Sequence, residues 1–291
     1  MDSALIGPLI KKAGTKFAPG HLEHTWTLIK WAWEANEDCL VGLLAGCLWA
    51  GHHLCLWKEA IVCMVPKPHH ADYTLVKNFC PILLLECLGK LLEKVVASLI
   101  YRDMAKYMLI PTMQFSGCNA SSILDAGLTL LHDIQSAHQA QLYTGLLLLD
   151  IQGFFDNVNH DRLVQVFADL GFAPELVNWC CPFLKDRTVK LQFNGITLDP
   201  FNFMVGTPQG SPVLPVLSII YTSPLLHKMR NWTNSSLGMY VNDGAIFACS
   251  WSWPSIAKTM RDCYEICVKW LTQAGLNVEP EKTELIFFHR H

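Results

Sequence analysis

Two aspartates stand at the ends of short apolar runs. Asp150 closes LLLLD (146–150), and Asp243 lies inside MYVNDGAIFA (239–248). A carboxylate at a strand tip beside one on a hairpin tip suits divalent cations. Mg2+ takes oxygen ligands at about 2.0–2.1 Å in octahedral geometry, commonly from one or two carboxylates completed by phosphate and water. Two such ions about 3.5–4 Å apart serve phosphoryl transfer between nucleotides, one activating the attacking hydroxyl and the other holding the triphosphate. Each aspartate taken singly also fits a plainer part. An Asp after a strand bonds nearby amides as a cap or turn residue, and Asn242-Asp243-Gly244 reads as a common tight turn.

The elements that must carry these groups follow from periodicity. Continuous apolarity over 146–149 suits a strand buried on both faces with its acid at the tip. A turn-like break at KFAPG (16–20) precedes a Trp-rich helical pattern at 24–35 and a further helix at 38–51. Residues 61–65 form a β-type run stopped by Pro66-Lys67-Pro68, with a polar loop at 69–72. Apolar residues at 84, 85, 88, 91, 92, 95, 96 and 99 predict a long helix from Pro81 through about Met108. Ser121 or Ser122 can cap another helix to about Gln139, and a helix at 161–170 closes at Gly171. Runs 188–193 and 201–205 alternate as paired strands around Asn194-Gly195. GTPQGSP (206–212) is a stiff loop with glycines where bulk would obstruct, or a helix start with Pro212 at its first position. An apolar helix to about Arg230, the hairpin, a helix at 254–274 and the segment 276–288 complete the order. That order suits an α+β fold with an antiparallel sheet.

Composition bounds the partners. A chain of 291 residues, 51% hydrophobic, can bury a large core and divides into two lobes. Net charge is −3, so no global basic field draws it to nucleic acid, and any such binding must come from local Lys and Arg groups. The twelve cysteines include no CxxC pair and no secretory leader precedes them, so they read as reduced and mostly packed. The adjacent pairs His52-His53, His69-His70 and Cys180-Cys181 lack zinc spacing. Residues 39–57 run 19 positions without a charge. Three glycines, His52-His53 and the flanking Glu37, Asp38, Lys58 and Glu59 argue for a buried helix and no membrane association, since a span needs about 20 apolar residues.

Read in order, LLLLDIQGFFDNVNHDRL (146–163), VGTPQGSPVLPVLSIIYTSPL (205–225), MYVNDGAIFA (239–248) and GLNVEPEKTELIFF (275–288) resemble the four palm motifs of reverse transcriptases from non-LTR (LINE-type) retrotransposons. Upstream, KFAPG (16–20), WKEAIVCMVPKP (57–68), FCPILLLECLGKLLEKVVA (79–97) and QFSGCNASSILDAGLTLLHDI (114–134) resemble that family's fingers. The resemblance implies a right-hand polymerase with fingers over 1–143 and a palm over 144–291. It implies RNA-directed DNA synthesis from dNTPs, with an RNA template, a DNA primer and two Mg2+ ions, for which Mn2+ can substitute. Asp150 would hold both metals, the carbonyl of Ile151 would help with one, and Asp243 would be the second carboxylate. Phe155 would sit beneath the incoming sugar and exclude a 2′-hydroxyl, although Phe154 and Phe155 also read as plain core aromatics. Gln209 and the backbone at Gly210 would position nucleotide and template. Lys67 and Lys282 would meet phosphates, a contact suited to a flexible point charge. Without the resemblance both read as solvated surface lysines. Nuclear or cytoplasmic residence, without secretion, follows from the same likeness.

The pattern is broken in three places that manage charge. The family hairpin reads aromatic, small, Asp, Asp, and here Tyr240-Val241-Asn242-Asp243 puts Asn242 at the first, metal-binding acid. Cys80 stands where the family carries a phosphate-binding Arg, and Cys118-Asn119 stand in a loop that also carries Arg. Neither Cys nor Asn reproduces a bidentate guanidinium. Only three residues follow Phe288, which implies fingers and palm without the thumb that grips a primer duplex. Two functions are therefore expected: a polymerase domain impaired at Asn242, or a folded but inactive retrotransposon fragment kept as a nucleic-acid or protein binder.

Overall fold

The computed structural model describes residues 1–68, 72–75, 78–111, 113–115, 122–193, 195–230 and 234–288. His69-His70, Cys118, Asn119, Ser121 and Asn194, singled out above, lie outside the described residues. Helices α1 (Ser3–Lys12), α2 (Trp26–Ala35) and α3 (Glu37–Trp49) precede strands β1 (Glu59–Pro66) and β2 (Phe79–Leu84) and helix α4 (Cys87–Tyr107). Next come α5 (Ile123–Gln139), β3 (Tyr143–Gln152), α6 (Phe154–Asn157), α7 (His160–Asp169) and α8 (Pro174–Leu184). Strands β4 (Arg187–Phe193), β5 (Ile196–Thr197) and β6 (Phe201–Phe203) lead to α9 (Leu214–Met229). The chain closes with β7 (Ser235–Tyr240), β8 (Asp243–Ser250), α10 (Trp253–Gln273), β9 (Asn277–Val278) and β10 (Glu284–Phe288).

These elements form two compact units, one from Met1–Arg102 with Gly171–Leu214 and the other from Asp103–Leu170 with Pro215–His291. Each is assembled from two stretches of chain, whereas the sequence reading divided it once, between 143 and 144.

The first unit holds a mixed sheet in the order β2-β1-β4-β5, with β6 on β4. Strand β1 is antiparallel to β2 and parallel to β4. The expected pairing of 188–193 with 201–205 is present as β4 against β6. Pro81 does not open the long helix. It lies opposite Met64 in β2, an edge strand, where a missing N–H forfeits no ladder bond. The helix begins only at Cys87. Besides the single turn α6, the sequence does not announce α1, capped by Asp2, or α8, whose Pro174 occupies the favoured first position. Helix α3 ends at Trp49, and no helix among the described residues is long and apolar enough to cross a membrane.

The second unit is an antiparallel sheet, β10-β3-β8-β7 with β9 on β3. The leucine run is a central strand covered on both faces, which explains its unbroken apolarity. Leu146 and Leu148, with Ala245 and Phe247 of β8, pack on Leu130, Ile134 and Ala137 of α5. Leu147 and Ala248 face Ile256 and Met260 of α10. Helix α5 starts where expected, in a capping box between Ser122 and Asp125. Helix α10 buries Ile256, Met260, Cys263, Cys267, Trp270 and Leu271, a stripe at helical spacing. It can approach β3 because position 145 has no side chain: a Cβ there would lie 2.7 Å from Met260 Cε and 3.2 Å from Ile256 Cγ2. Gly145→Val is therefore expected to overpack this face and lower stability by about 1–3 kcal/mol, read as a lower urea midpoint at unchanged slope. A midpoint indistinguishable from the parent's would mean that α10 is not pressed against β3.

Candidate active site

The register of β3 with β8 sets Asp150 directly opposite Asp243. Cross-strand partners project from the same face, with Cβ atoms about 4.5–5.5 Å apart. Side chains alternate along a strand, so this face is the one on which Leu146, Leu148 and Ala245 meet α5.

The hairpin turn is one residue earlier than the sequence suggests. Tyr240 already pairs with Asp243, so Asp243 and Gly244 belong to β8 and the two-residue loop is Val241-Asn242. Two-residue hairpin loops need a positive φ, and Val241 supplies it at 57°. A β-branched residue in that region stores strain of order 1–3 kcal/mol. The turn lifts Asn242 to the tip, where its amide Nδ2 donates to Asp150 Oδ1 at 2.9 Å.

The other oxygen of Asp150 meets a cation. Strand β9 pairs Val278 with Ile151, and the Glu279 N–H donates to the Asp150 carbonyl at 2.8 Å. These bonds seat the 3-10 turn Pro280–Lys282 beside β3, and Lys282 Nζ donates to Asp150 Oδ2 at 2.5 Å. The lysine side chain is otherwise mostly exposed, at 67%. Its bond to Asp150 holds the ammonium above the usual lysine range. The Asp243 carboxyl is pushed up, first by burial and then by Asp150, with Lys282 opposing. A like charge directly opposite a carboxyl raises its pKa because ionising both sets two negative charges against each other.

Such a pair can hold a divalent cation through Asp150 and Asp243, with the amide oxygen of Asn242 and the carbonyl of Ile151 as neutral oxygens nearby in sequence. A cation there must share Asp150 with the Asn242 amide and the Lys282 ammonium or displace them. Among the described residues no cluster of three His, Cys, Asp or Glu side chains stands ready for a metal ion.

Immediately beyond β3, Gly153 turns at φ 51° and leads into α6, which carries both phenylalanines. Phe154 is buried against Tyr221, whereas Phe155 is half-buried with its ring edge-on to Phe154 at 5.3 Å. Of the two, Phe154 is the core aromatic.

Lys67, Gln209 and Gly210 belong to the first unit and are placed there. Gly210 has φ 107°, and a Cβ on it would lie 2.9 Å from the Leu83 carbonyl oxygen, so glycine is required. The Leu83 N–H donates to the Gln209 carbonyl at 3.2 Å, laying the GTPQGSP loop against β2. Pro212 does not open α9, which starts at Leu214, because Pro208 and Ser211 close their own turn at 3.0 Å. Ser211 Oγ also donates to Glu93, a buried acid of α4. Burial pushes Glu93 up, opposed by Arg187, whose own guanidinium is pulled down by burial to about 10. This anchor was missed, though the two acids inside the apolar stripe of 84–99, Glu86 and Glu93, were its available signal. Lys67 follows β1, with its N–H on the Asn78 carbonyl at 2.8 Å, and Cys80 is exposed in β2 opposite Val65.

Comparison with known proteins places the chain among relatives. The family model described as reverse transcriptase (RNA-dependent DNA polymerase) matches residues 65–289. The chain is 26% identical over 231 residues to the probable RNA-directed DNA polymerase from transposon BS of Drosophila melanogaster, covering 78% of this chain and 25% of that protein. It is 24% identical over 286 residues to the RNA-directed DNA polymerase from mobile element jockey of the same fly, covering 96% of this chain and 31% of that protein. The chain thus spans a quarter to a third of the length of these relatives. In fold it is similar to apo telomerase from Candida tropicalis truncated from its C-terminal domain, with a TM-score of 0.59 and 16% identity over 81% of this chain and 51% of that one.

The charge geometry has a direct readout. In a 13C titration of the Asp243 carboxyl, Asp150→Asn is expected to lower its pKa while burial keeps it above the ordinary aspartate value, and Lys282→Met is expected to raise it further. An Asp243 titration indifferent to both substitutions would separate the three groups.

Proposed function

The chain belongs to the reverse transcriptase (RNA-dependent DNA polymerase) family, and from that we propose that it is the fingers and palm of a retrotransposon RNA-directed DNA polymerase whose metal site is one carboxylate short. The observation that carries this reading is the pairing of Asp150 with Asp243, with Asn242 donating to Asp150 from the turn between β7 and β8. Bound at these carboxylates, two Mg2+ ions, or Mn2+, would activate a primer hydroxyl and neutralise triphosphate charge.

In this reading Asp150 and Asp243 hold the cations, assisted by the Ile151 carbonyl. Phe155 lies under the sugar of the incoming dNTP and disfavours a 2′-hydroxyl. Gln209 and the close-approach backbone at Gly210 orient nucleotide and RNA template. Lys67 and Lys282 meet phosphate, and for Lys282 the exposed ammonium on a long stem is compatible with exchange between Asp150 and a triphosphate. Asn242 keeps an oxygen but no charge. Loss of groups that merely support metal ligands typically costs about 10–100-fold in affinity or activity, and loss of a ligand's charge costs more.

A second reading is a folded, inactive relative retained to bind nucleic acid or protein. It is favoured by the engagement of both Asp150 oxygens with protein donors and by Cys80 where an Arg would meet phosphate. Primer extension by the whole chain on an RNA template, with Mg2+ or Mn2+, separates the two. Asn242→Asp is expected to raise the extension rate by at least about tenfold over the unaltered chain. Vigorous synthesis by the unaltered chain would overturn the impairment, and no synthesis by either protein would favour the inactive reading.

A further inference from the structure

The second unit contains a cavity of about 260 Å³ between α5 and the face of β3, β7 and β8 that carries Asp150 and Asp243. Its walls are largely apolar, with Leu130, Leu148, Met239 and Phe247 among them. A dry apolar cavity of about 150 Å³ takes up benzene, so this one has room for a larger aromatic body with a short arm. The polar content is one-sided. Two lining residues, Asp133 and Asp243, are acidic, and none of the lining residues is basic.

An apolar wall favours an apolar guest, whereas a carboxylate facing such a wall lacks the solvation that would stabilise its charge. A ligand that satisfies both carries one positive charge on a hydrophobic frame. Asp133 is the better placed partner. It is half-buried on α5, and burial pushes its carboxyl up, with His132 opposing. Asp243 already answers to Asp150 and Lys282.

We propose that this cavity is a binding site for a hydrophobic amine, an aromatic frame bearing one ammonium group that pairs with Asp133 while the rings lie between α5 and the sheet. The site concerns binding alone and does not depend on the polymerase reading.

The geometry supplies a blocking substitution. Gly127 lines the cavity within α5, and a Cβ built there meets no atom within 4 Å. Gly127→Leu should fill the space, and it replaces a poor helix former with a good one. The test titrates the whole chain with 3-(1-naphthyl)propylamine and its neutral counterpart 3-(1-naphthyl)propan-1-ol, using calorimetry and amide chemical shifts, with melting curves confirming that each variant folds. The amine is expected to bind saturably and about tenfold tighter than the alcohol, the scale of one hydrogen bond to a charged group. Asp133→Asn should bring the two affinities together, and Gly127→Leu should abolish both. The proposal is overturned by non-saturable amine binding, by equal affinities in the unaltered chain, by a preference that survives Asp133→Asn, or by binding that Gly127→Leu leaves intact.

Discussion

If β3 slipped by one residue against β8, Asp150 would leave Asp243 and the leucines would trade faces, because side chains in a strand alternate with a period of two. That register is held from both sides. Helix α5 takes Leu146 and Leu148, while α10 takes the other face, closing over Gly145. Burial of a leucine side chain contributes about 1.5–3 kcal/mol, and each misregistered leucine would sacrifice part of it. The carboxylate pair is thus a consequence of apolar packing several residues away. Its own electrostatics oppose it.

The compensation for that opposition comes from the chain itself. Asn242 and Lys282 both donate to Asp150, one from a strained hairpin tip and one from a turn tied to the Asp150 carbonyl through Glu279. Each donor reduces the repulsion that two facing acids would otherwise impose. An amide at position 242 therefore steadies the hairpin tip against Asp150, where a third carboxylate would add repulsion.

The first unit shows the same economy of means around the GTPQGSP loop. Gly210 lets the loop backbone touch β2, and Ser211 reaches the buried Glu93, which Arg187 opposes across the unit's interior. A buried acid and guanidinium are weak evidence for stability, since their desolvation offsets their attraction. Here the acid fixes the position of a loop through Ser211, for which a directional hydrogen bond does more than an apolar contact.

Much of this was legible in residue order. The both-sided burial of LLLLD, the cap at Ser122, the glycine stop at Gly171 and the α+β succession follow from local propensity and period, which act within a few residues. The motif order carried the family and the identity of the paired acids. Other features depended on partners far along the chain. Pro81 looked like a helix start until β1 placed it on a sheet edge, and the turn looked like Asn-Asp-Gly until the β7–β8 register moved it to Val241-Asn242. That Asp150 is bonded by both Asn242 and Lys282, from 92 and 132 residues away, was decided by strand pairing alone. Sequence determined which groups were available and on which local elements they ride. Only the tertiary structure decided which of them meet, because contacts between distant residues are selected by the packing of whole faces and not by any local preference.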